Sequence, residues 1–406
     1  MEKITRYIQA NTPIYWRTIF IIFLGSMAAF GAEYCVQPLI PVIAKEFALA
    51  PASASLAVSA GLFGMALAML FIAVIGPRLN RKKITAASLF LAAAVTIIIG
   101  LSSNFHLILI LRFLQGVILA AFPSLMIAYI NEEFEPSSVG SVLGIYIGAN
   151  AIGGLAGRLI VSTMADFFSW RTGLILIGLL YLIIAVAVGL FLPKSHHKKT
   201  AAAFKISQII TNIFADRKLL LIYLIAFCAM GSFVSVYNFI TYVLLHAPYN
   251  LSQTFIGCLF CTYLVGSFSS AYMGKKTYLW GNGKVIGISA LLMLTGIAIT
   301  VLMPLLCKIT GLVIFTFGFF GCHSGACGWV GRLNQGDKAI SSSLYMFFYY
   351  AGASALGTLG GIFLEHYGWN GVVVMVAACE IICLLLLHSV NSLLKKRPKQ
   401  NLKTCS

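Results

Sequence analysis

Glu33 stands inside an apolar run, AAFGAEYCVQPLIP, with no second charge within ten residues on either side. A lone carboxyl in a low-dielectric setting is costly to ionise. That suits a group that takes up and releases a proton, or one that draws a cationic cargo. The other role open to it is that of a structural hydrogen-bonding acid. Tyr34 and Gln37 add polar groups to the same segment, though not on one strict helical face. Arg112, in LRFLQG at 111–116, places a permanent positive charge in another apolar run, with Gln115 one turn on. It can stabilise an ionised Glu33 or serve as a structural interfacial charge. His323, beside Cys322 and Ser324, changes charge near neutral pH and is a second proton-site candidate. Packing and substrate hydrogen bonding are its alternatives. Tyr237, Asn238, Tyr345, Tyr349 and Tyr350 are polar-aromatic cavity candidates, and Glu380 reads as a structural acid.

Other chemistries find little support. The glycine clusters lie in apolar runs without a following Lys-Ser/Thr, so they do not form a phosphate cradle. Cys258 and Cys261 make a CxxC in an apolar run without basic or metal-ligating neighbours, and read as buried small hydrophobes. No enzymatic activity, cofactor or metal is expected.

The elements that must hold these side chains are apolar runs of about 20 residues, the length that crosses a bilayer core as a helix. Hydrophobic residues make up 60% of the chain and charged residues only 10%. Soluble domains carry about 25% charged residues, so lipid is the solvent. Twelve helices are expected near 18–40, 52–76, 83–102, 105–130, 139–165, 171–192, 219–245, 252–274, 284–305, 309–332, 339–363 and 370–390. Pro41, Pro51, Pro136 and Pro193 help to mark their ends. The first run is long and enters the fold, so no cleaved signal peptide is expected.

Charge sets the orientation. With the N-terminus in the cytoplasm, alternating loops place 23 of the 28 Lys and Arg residues on the cytoplasmic side and three outside, Lys45, Arg171 and Lys308. Such a bias puts both termini inside. The basic residues lie in loops rather than along one helix face, so the net charge of +17 points to membrane lipids, not nucleic acid. A basic cytoplasmic linker at 193–217, holding His196 and His197, divides a six-helix bundle at 1–192 from a second bundle and tail at 218–406.

The two halves look related. Shifting GIYIGANAIGGLAG (144–157) by 204 positions superposes Tyr146 on Tyr350, Gly148 on Gly352, Gly153 on Gly357 and Gly157 on Gly361. Each half follows this span with a tryptophan turn, Ser169-Trp170 and Gly368-Trp369. Repeated halves that rock about a central cavity are a design for alternating access.

With QPLIPVIAKEF at 37–47, LRFLQG at 111–116, GANAIGGLAGRL at 148–159, FGFFGCHSGACGWVGR at 317–332 and SSLYMFFYYAGASALGTLGG at 342–361, the chain resembles the major facilitator superfamily. Within it, the resemblance is to the drug:proton antiporter branch and its YnfM-like bacterial permeases, and it covers nearly the whole chain. It implies an all-α fold of twelve transmembrane helices in two six-helix bundles in a bacterial inner membrane. It also implies secondary active transport of a small molecule, with protons as the usual driving ion. The family motif has an arginine at the position of Arg112, which the resemblance links with proton transfer or with holding the cavity. The fifth span resembles the antiporter glycine motif. Gly144, Gly148, Gly153, Gly154 and Gly157 would form a narrow path with Asn150 bonding across it, and Arg158 would anchor the outer gate through Asp166 or form a helix-end charge pair.

Two departures stand out. Ala151-Ile152 follow Asn150 where the antiporter motif has proline. In the loop AVIGPRLNRKK, Ala73, Pro77 and Asn80 replace Gly, Asp and Gly, which puts the usual cytoplasmic gate ion pair in doubt. Arg78, Arg81 and Lys82 remain to bind helix ends or headgroups. The leading expectation is export of a small amphipathic or organic solute in exchange for protons by a functional monomer. The alternative is a proton symporter or facilitator for a sugar, amino acid or organic anion. A membrane sensor or scaffold is disfavoured because no soluble signalling domain is recognisable. Accessibility labelling at the two chain ends tests the frame: a membrane-impermeant reagent should reach both in inside-out vesicles and neither in intact cells.

Overall fold

The computed structural model describes residues 7–195, 216–333 and 338–395. The linker segment 196–215, with His196 and His197, lies outside the described residues, as do residues 1–6 and the basic tail beyond 395.

Helix α1 (Pro13–Tyr34) gives way to a 3-10 turn (Gln37–Leu39) and the short α2 (Ile40–Glu46), which together form one crossing. Next come α3 (Pro51–Ile75), α4 (Arg81–Leu101), α5 (Phe105–Leu119), α6 (Ala121–Glu133), α7 (Pro136–Phe167) and α8 (Trp170–Phe191). The second half holds α9 (Arg217–Leu245), α10 (Gln253–Leu259), α11 (Thr262–Trp280), α12 (Asn282–Ile299), α13 (Leu305–Leu333) and α14 (Lys338–Lys395).

The helix ends follow from the sequence. Proline opens α1, α3 and α7, where a missing N–H costs nothing. Side chains of Thr12, Asn80, Asn104, Ser169, Asp216 and Ser252 accept from first-turn amides. Asn80, which departs from the family pattern, thus has a role of its own as the cap of α4.

The fourth expected span is broken at Ala120 into α5 and α6. Pro123 explains the break, because it has no N–H to return to the carbonyl of Leu119. The last two expected spans run on as one 58-residue helical stretch, but Gly368 has φ 62° and ψ −157°. A Cβ on Gly371 would lie 2.5 Å from the carbonyl oxygen of Phe363, so the chain doubles back there. The result is twelve crossings.

In the first bundle α1 packs on α7, α3 on α5 and α4 on α8; in the second, α9 packs on α14 and α13 on α11 and α12. Between bundles, α3 meets α14 and α7 meets α10. The glycine path expected along α7 is not formed. Nothing lies within 4 Å of a Cβ built on Gly144 or Gly148, and Asn150 makes no hydrogen bond across the helices among the described residues. Gly153 instead lies against the backbone of Met27, and a Cβ on Gly157 would come within 2.9 Å of Gly31. These two let α7 and α1 touch backbone to backbone. In the second half Gly352 does the same for α14 against Phe227 of α9, while Gly361 meets Ala52 across the bundles. The two tryptophan turns serve alike: Trp170 Nε1 donates to Glu46 (2.5 Å), and Trp369 Nε1 donates to Thr300 Oγ1 (3.1 Å).

One end of the molecule is shut. Among the described residues, every hydrogen bond between the bundles lies in the half nearer α2. Gln37 Nε2 donates to Asn238 Oδ1 (2.9 Å), and Gln253 Nε2 to the carbonyl of Pro38 (2.5 Å). Tyr242 donates to Ile40 O (3.4 Å), and Thr358 Oγ1 to Ser59 Oγ (2.8 Å). Asp166 accepts from the amides of Gln253 (2.9 Å) and Thr254 (2.6 Å). The opposite half, where Gly144 and Gly148 face open space, has no such bond among the described residues.

Gly153→Ala and Gly148→Ala should therefore part in sign. The first forces a methyl into backbone and should cost about 1–3 kcal/mol. The second should be neutral or gain up to about 1 kcal/mol of helix propensity. Thermal unfolding of the two variants in detergent measures the contrast.

Candidate functional site

Pro38 shapes the centre of the molecule. It cannot donate to the carbonyl of Tyr34, and α1 ends there. The carbonyls of Ala32 and Glu33 are left without backbone partners, as at any helix C-terminus. Arg112, entirely buried on α5, supplies them. Its Nη1 donates to Ala32 O (3.3 Å) and its Nη2 to Glu33 O (2.7 Å), while Nε reaches Ala57 O on α3 (2.7 Å). Nη1 also bonds the side-chain oxygen of Gln115, whose Nε2 is anchored on Thr96 Oγ1 (2.7 Å) and Ala92 O (3.2 Å). Gln115, a cavity candidate by sequence, is instead a strut for Arg112 inside the first bundle.

The Glu33 side chain meets this arginine at one point, Oε1 to Nη2 at 3.7 Å. Neither carboxyl oxygen makes a hydrogen bond. The pair has room because α3 carries glycine there: a Cβ on Gly61 would lie 2.8 Å from Glu33 Oε1 and 2.9 Å from Arg112 Nη2. Gly116 of LRFLQG in turn packs on the backbone of Gly61. Sequence reasoning missed Gly61; its signal was the close G-x-x-G pair Gly61 and Gly64 in α3. Glu33 and Tyr34 also line a small pocket of about 10 Å³, the space of a single water, with Ala29, Phe30, Met65, Leu119, Pro123 and Tyr350. One carboxyl and two phenols stand in its otherwise apolar wall.

Arg158 is not where the sequence suggested. It makes no contact with Asp166, which caps the start of α10 across the bundles. Arg158 turns inward, where Nε and Nη2 donate to Gln37 Oε1 (3.1 and 2.8 Å) and Nη1 to Gly154 O (2.8 Å). Eight positions along α7 are about 12 Å of rise, so Arg158 and Asp166 sit at different depths. Gln37 lies beyond the end of α1 rather than on the same helix as Tyr34. It joins Arg158 to Asn238, whose Nδ2 donates to Gly357 O (3.4 Å). Gln253 is one of the groups that bind the bundles together.

The remaining candidates gather in the second bundle. Tyr237 is buried between Thr262 Oγ1 (2.5 Å) and Thr316 Oγ1 (2.6 Å). His323 Nδ1 meets the hydroxyl of Tyr345 (2.8 Å), and its ring lies 4.8 Å from that of Tyr349. Tyr349 meets Tyr350, a pocket wall, at 5.2 Å. Glu380 is fully buried, and its carboxyl oxygens make no hydrogen bond. Cys258 and Cys261, expected to be buried, are exposed.

At the end away from α2, Arg81 pairs with Glu132 of α6 in a two-point contact, Nη2–Oε1 2.9 Å and Nε–Oε2 3.2 Å, and also bonds Gly76 O. An ion pair is therefore present despite the altered loop, with Glu132 as the acid that sequence reasoning missed. Lys82 donates to Leu190 O at the end of α8 (3.3 Å), as a helix-end contact requires, while Arg78 is exposed. Because removal of one partner strands a buried charge, Arg81→Ala and Glu132→Ala should each cost about 3–5 kcal/mol. The double variant should cost less than the sum of the two. A double-mutant cycle on unfolding free energies checks this.

Comparison with known proteins agrees with this architecture. Residues 22–355 match the Major Facilitator Superfamily model. The MFS-type transporter YybF of Bacillus subtilis (strain 168) is 37% identical over 399 residues, 98% of this chain and 99% of that protein. The inner membrane transport protein YnfM of Escherichia coli (strain K12) is 37% identical over 384 residues, 94% of this chain and 92% of that one. The fold is shared with a bacterial homologue of the human lysosomal transporter Spinster, solved inward-facing and unoccupied. That structure has a TM-score of 0.77 and 14% identity, and the match covers 97% of this chain and 100% of the other. Twelve crossings in two bundles, matched along nearly the whole chain by named transporters, make this protein a multi-pass membrane transporter of the Major Facilitator Superfamily.

Proposed function

We propose that the protein exports a small amphipathic organic solute in exchange for protons by alternating access. The observation that carries this is the Glu33 carboxyl, buried in the wall of the pocket without a hydrogen bond and 3.7 Å from Arg112. Arg112 is held by three backbone carbonyls and Gln115. It keeps its place whether Glu33 carries a proton or not, so the carboxyl can titrate without collapse of the site.

The loop charges put the α2 end outside the cell. On that assignment the present arrangement is closed to the outside. Cargo would enter from the cytoplasm, and a proton arriving at Glu33 from outside would cancel the charge that a bound cationic or polar group faces. Cargo and proton then compete, which is what exchange requires. Each proton crossing about 100 mV supplies about 2.3 kcal/mol, an equilibrium bias of about 50-fold for a neutral cargo.

A second reading has one observation in its favour. In the first bundle, two buried arginines, Arg112 and Arg158, stand near the single carboxyl of Glu33. A surplus of positive charge suits an organic anion carried together with a proton.

Proteoliposomes with an imposed pH gradient test both readings. Under exchange, an inward proton gradient drives solute out; under co-transport it draws solute in. Glu33→Gln should lower proton flux at least tenfold while exchange of labelled for unlabelled solute continues. Unchanged proton flux in that variant would remove Glu33 from the mechanism.

A further inference from the structure

Arg158 is the one buried arginine among the described residues with no acidic partner. Arg81 has Glu132 and Arg112 has Glu33, but no carboxylate lies within 4 Å of Arg158, which is only 2% exposed. Two of its five N–H groups make no hydrogen bond. Three rings take the place of an anion. The guanidinium carbon lies 4.7 Å from the ring centre of Tyr34, 4.5 Å from Phe260 and 4.9 Å from Tyr263. Ring faces attract a cation, but far less than a carboxylate that also accepts hydrogen bonds.

The cage is split between the bundles. Arg158 and Tyr34 belong to the first; Phe260, at the break between α10 and α11, and Tyr263 belong to the second. The contact of α7 with α10 is tight, since a Cβ on Gly257 would lie 2.8 Å from Ser162 Cβ. Parting of the bundles at the α2 end must therefore draw Phe260 and Tyr263 off the guanidinium and leave Gln37 in place. Tyr34 is also a pocket wall, so the bared cation would face the pocket. From Tyr263 the rings continue through Phe233 (5.2 Å) and Phe319 (3.9 Å) to Tyr349 (6.4 Å), beside the pocket residue Tyr350.

We propose that Arg158 anchors the carboxylate of a planar organic acid when the α2 end is open, and that closure returns Phe260 and Tyr263 to the guanidinium and expels the anion. The inference rests on alternating access about this pocket. It deepens the second reading above by naming the cargo class and the residue that selects it. It also supplies what any transporter needs, a ligand bound unequally by two states: the rings occupy the cation in one state and release it in the other.

The test is direct binding to the full-length protein in detergent, which needs no proton gradient. The probes are benzoate and 1-naphthoate against their uncharged amides, benzamide and 1-naphthamide, read by ligand-dependent thermal stabilisation. Wild type should bind at least one carboxylate roughly tenfold or more tighter than its amide. Arg158→Gln should abolish that difference, and Arg158→Lys should restore part of it. Phe260→Leu with Tyr263→Leu, which frees the cation without touching it, should tighten carboxylate binding and leave amide binding unchanged; this pair keeps the test alive if Arg158→Gln does not fold. A wild type without preference for carboxylates, a preference that survives Arg158→Gln, or a cage variant that weakens both classes equally would overturn the proposal. Glu33→Gln should keep the carboxylate preference, so a failure of proton coupling is read separately from a failure of this site.

Discussion

Hydrocarbon offers no hydrogen-bond partner, and every polar group that enters it must find one within the protein. At the centre of this molecule that demand is met by exchange between a helix end and an arginine. Pro38 stops α1, the stop leaves the carbonyls of Ala32 and Glu33 bare, and Arg112 satisfies both while they hold its charge in place. A fixed positive charge positioned this way needs no carboxylate to keep it there. The Glu33 side chain lies in the pocket wall without a hydrogen bond.

The same demand explains how close the helices lie. Gly61 and Gly116 bring α3 and α5 together around the Glu33–Arg112 pair, and Gly153 and Gly157 bring α7 onto α1. Backbone contact of this kind makes each bundle a rigid body. Between the bundles, glycine contacts of Gly361 on Ala52 and Gly257 on Ser162 are joined by single hydrogen bonds such as Gln37–Asn238 and Thr358–Ser59, and by a carboxylate, Asp166, on the amides of α10. Among the described residues these hydrogen bonds lie at one end.

The three buried arginines show how differently one residue type can be used. Arg81 is neutralised by Glu132 near the end of a bundle, Arg112 is caged by carbonyls, and Arg158 is covered by rings that come partly from the other half. Only the last arrangement is shared between the halves, which is why the proposed cycle involves the charge of Arg158 rather than that of Arg112.

Much of this was legible from the chain alone. The solvent, the crossings and the depth of Glu33 and Arg112 follow from composition over windows of about 20 residues, because lipid imposes its requirement locally. Proline and cap residues mark helix ends for the same reason: their effect is felt within one turn. What tertiary structure decided was which groups meet. Arg158 turned to Gln37 and the rings instead of Asp166, Arg81 found Glu132 fifty-one residues away, and of the glycines in α7 Gly153 and Gly157 took up the backbone contact while Gly144 and Gly148 face open space. A helix turns about 100° per residue, so a side chain's partner depends on the rotation and tilt of whole helices packed against each other. That information is held by the assembled bundles and by no single segment of the sequence.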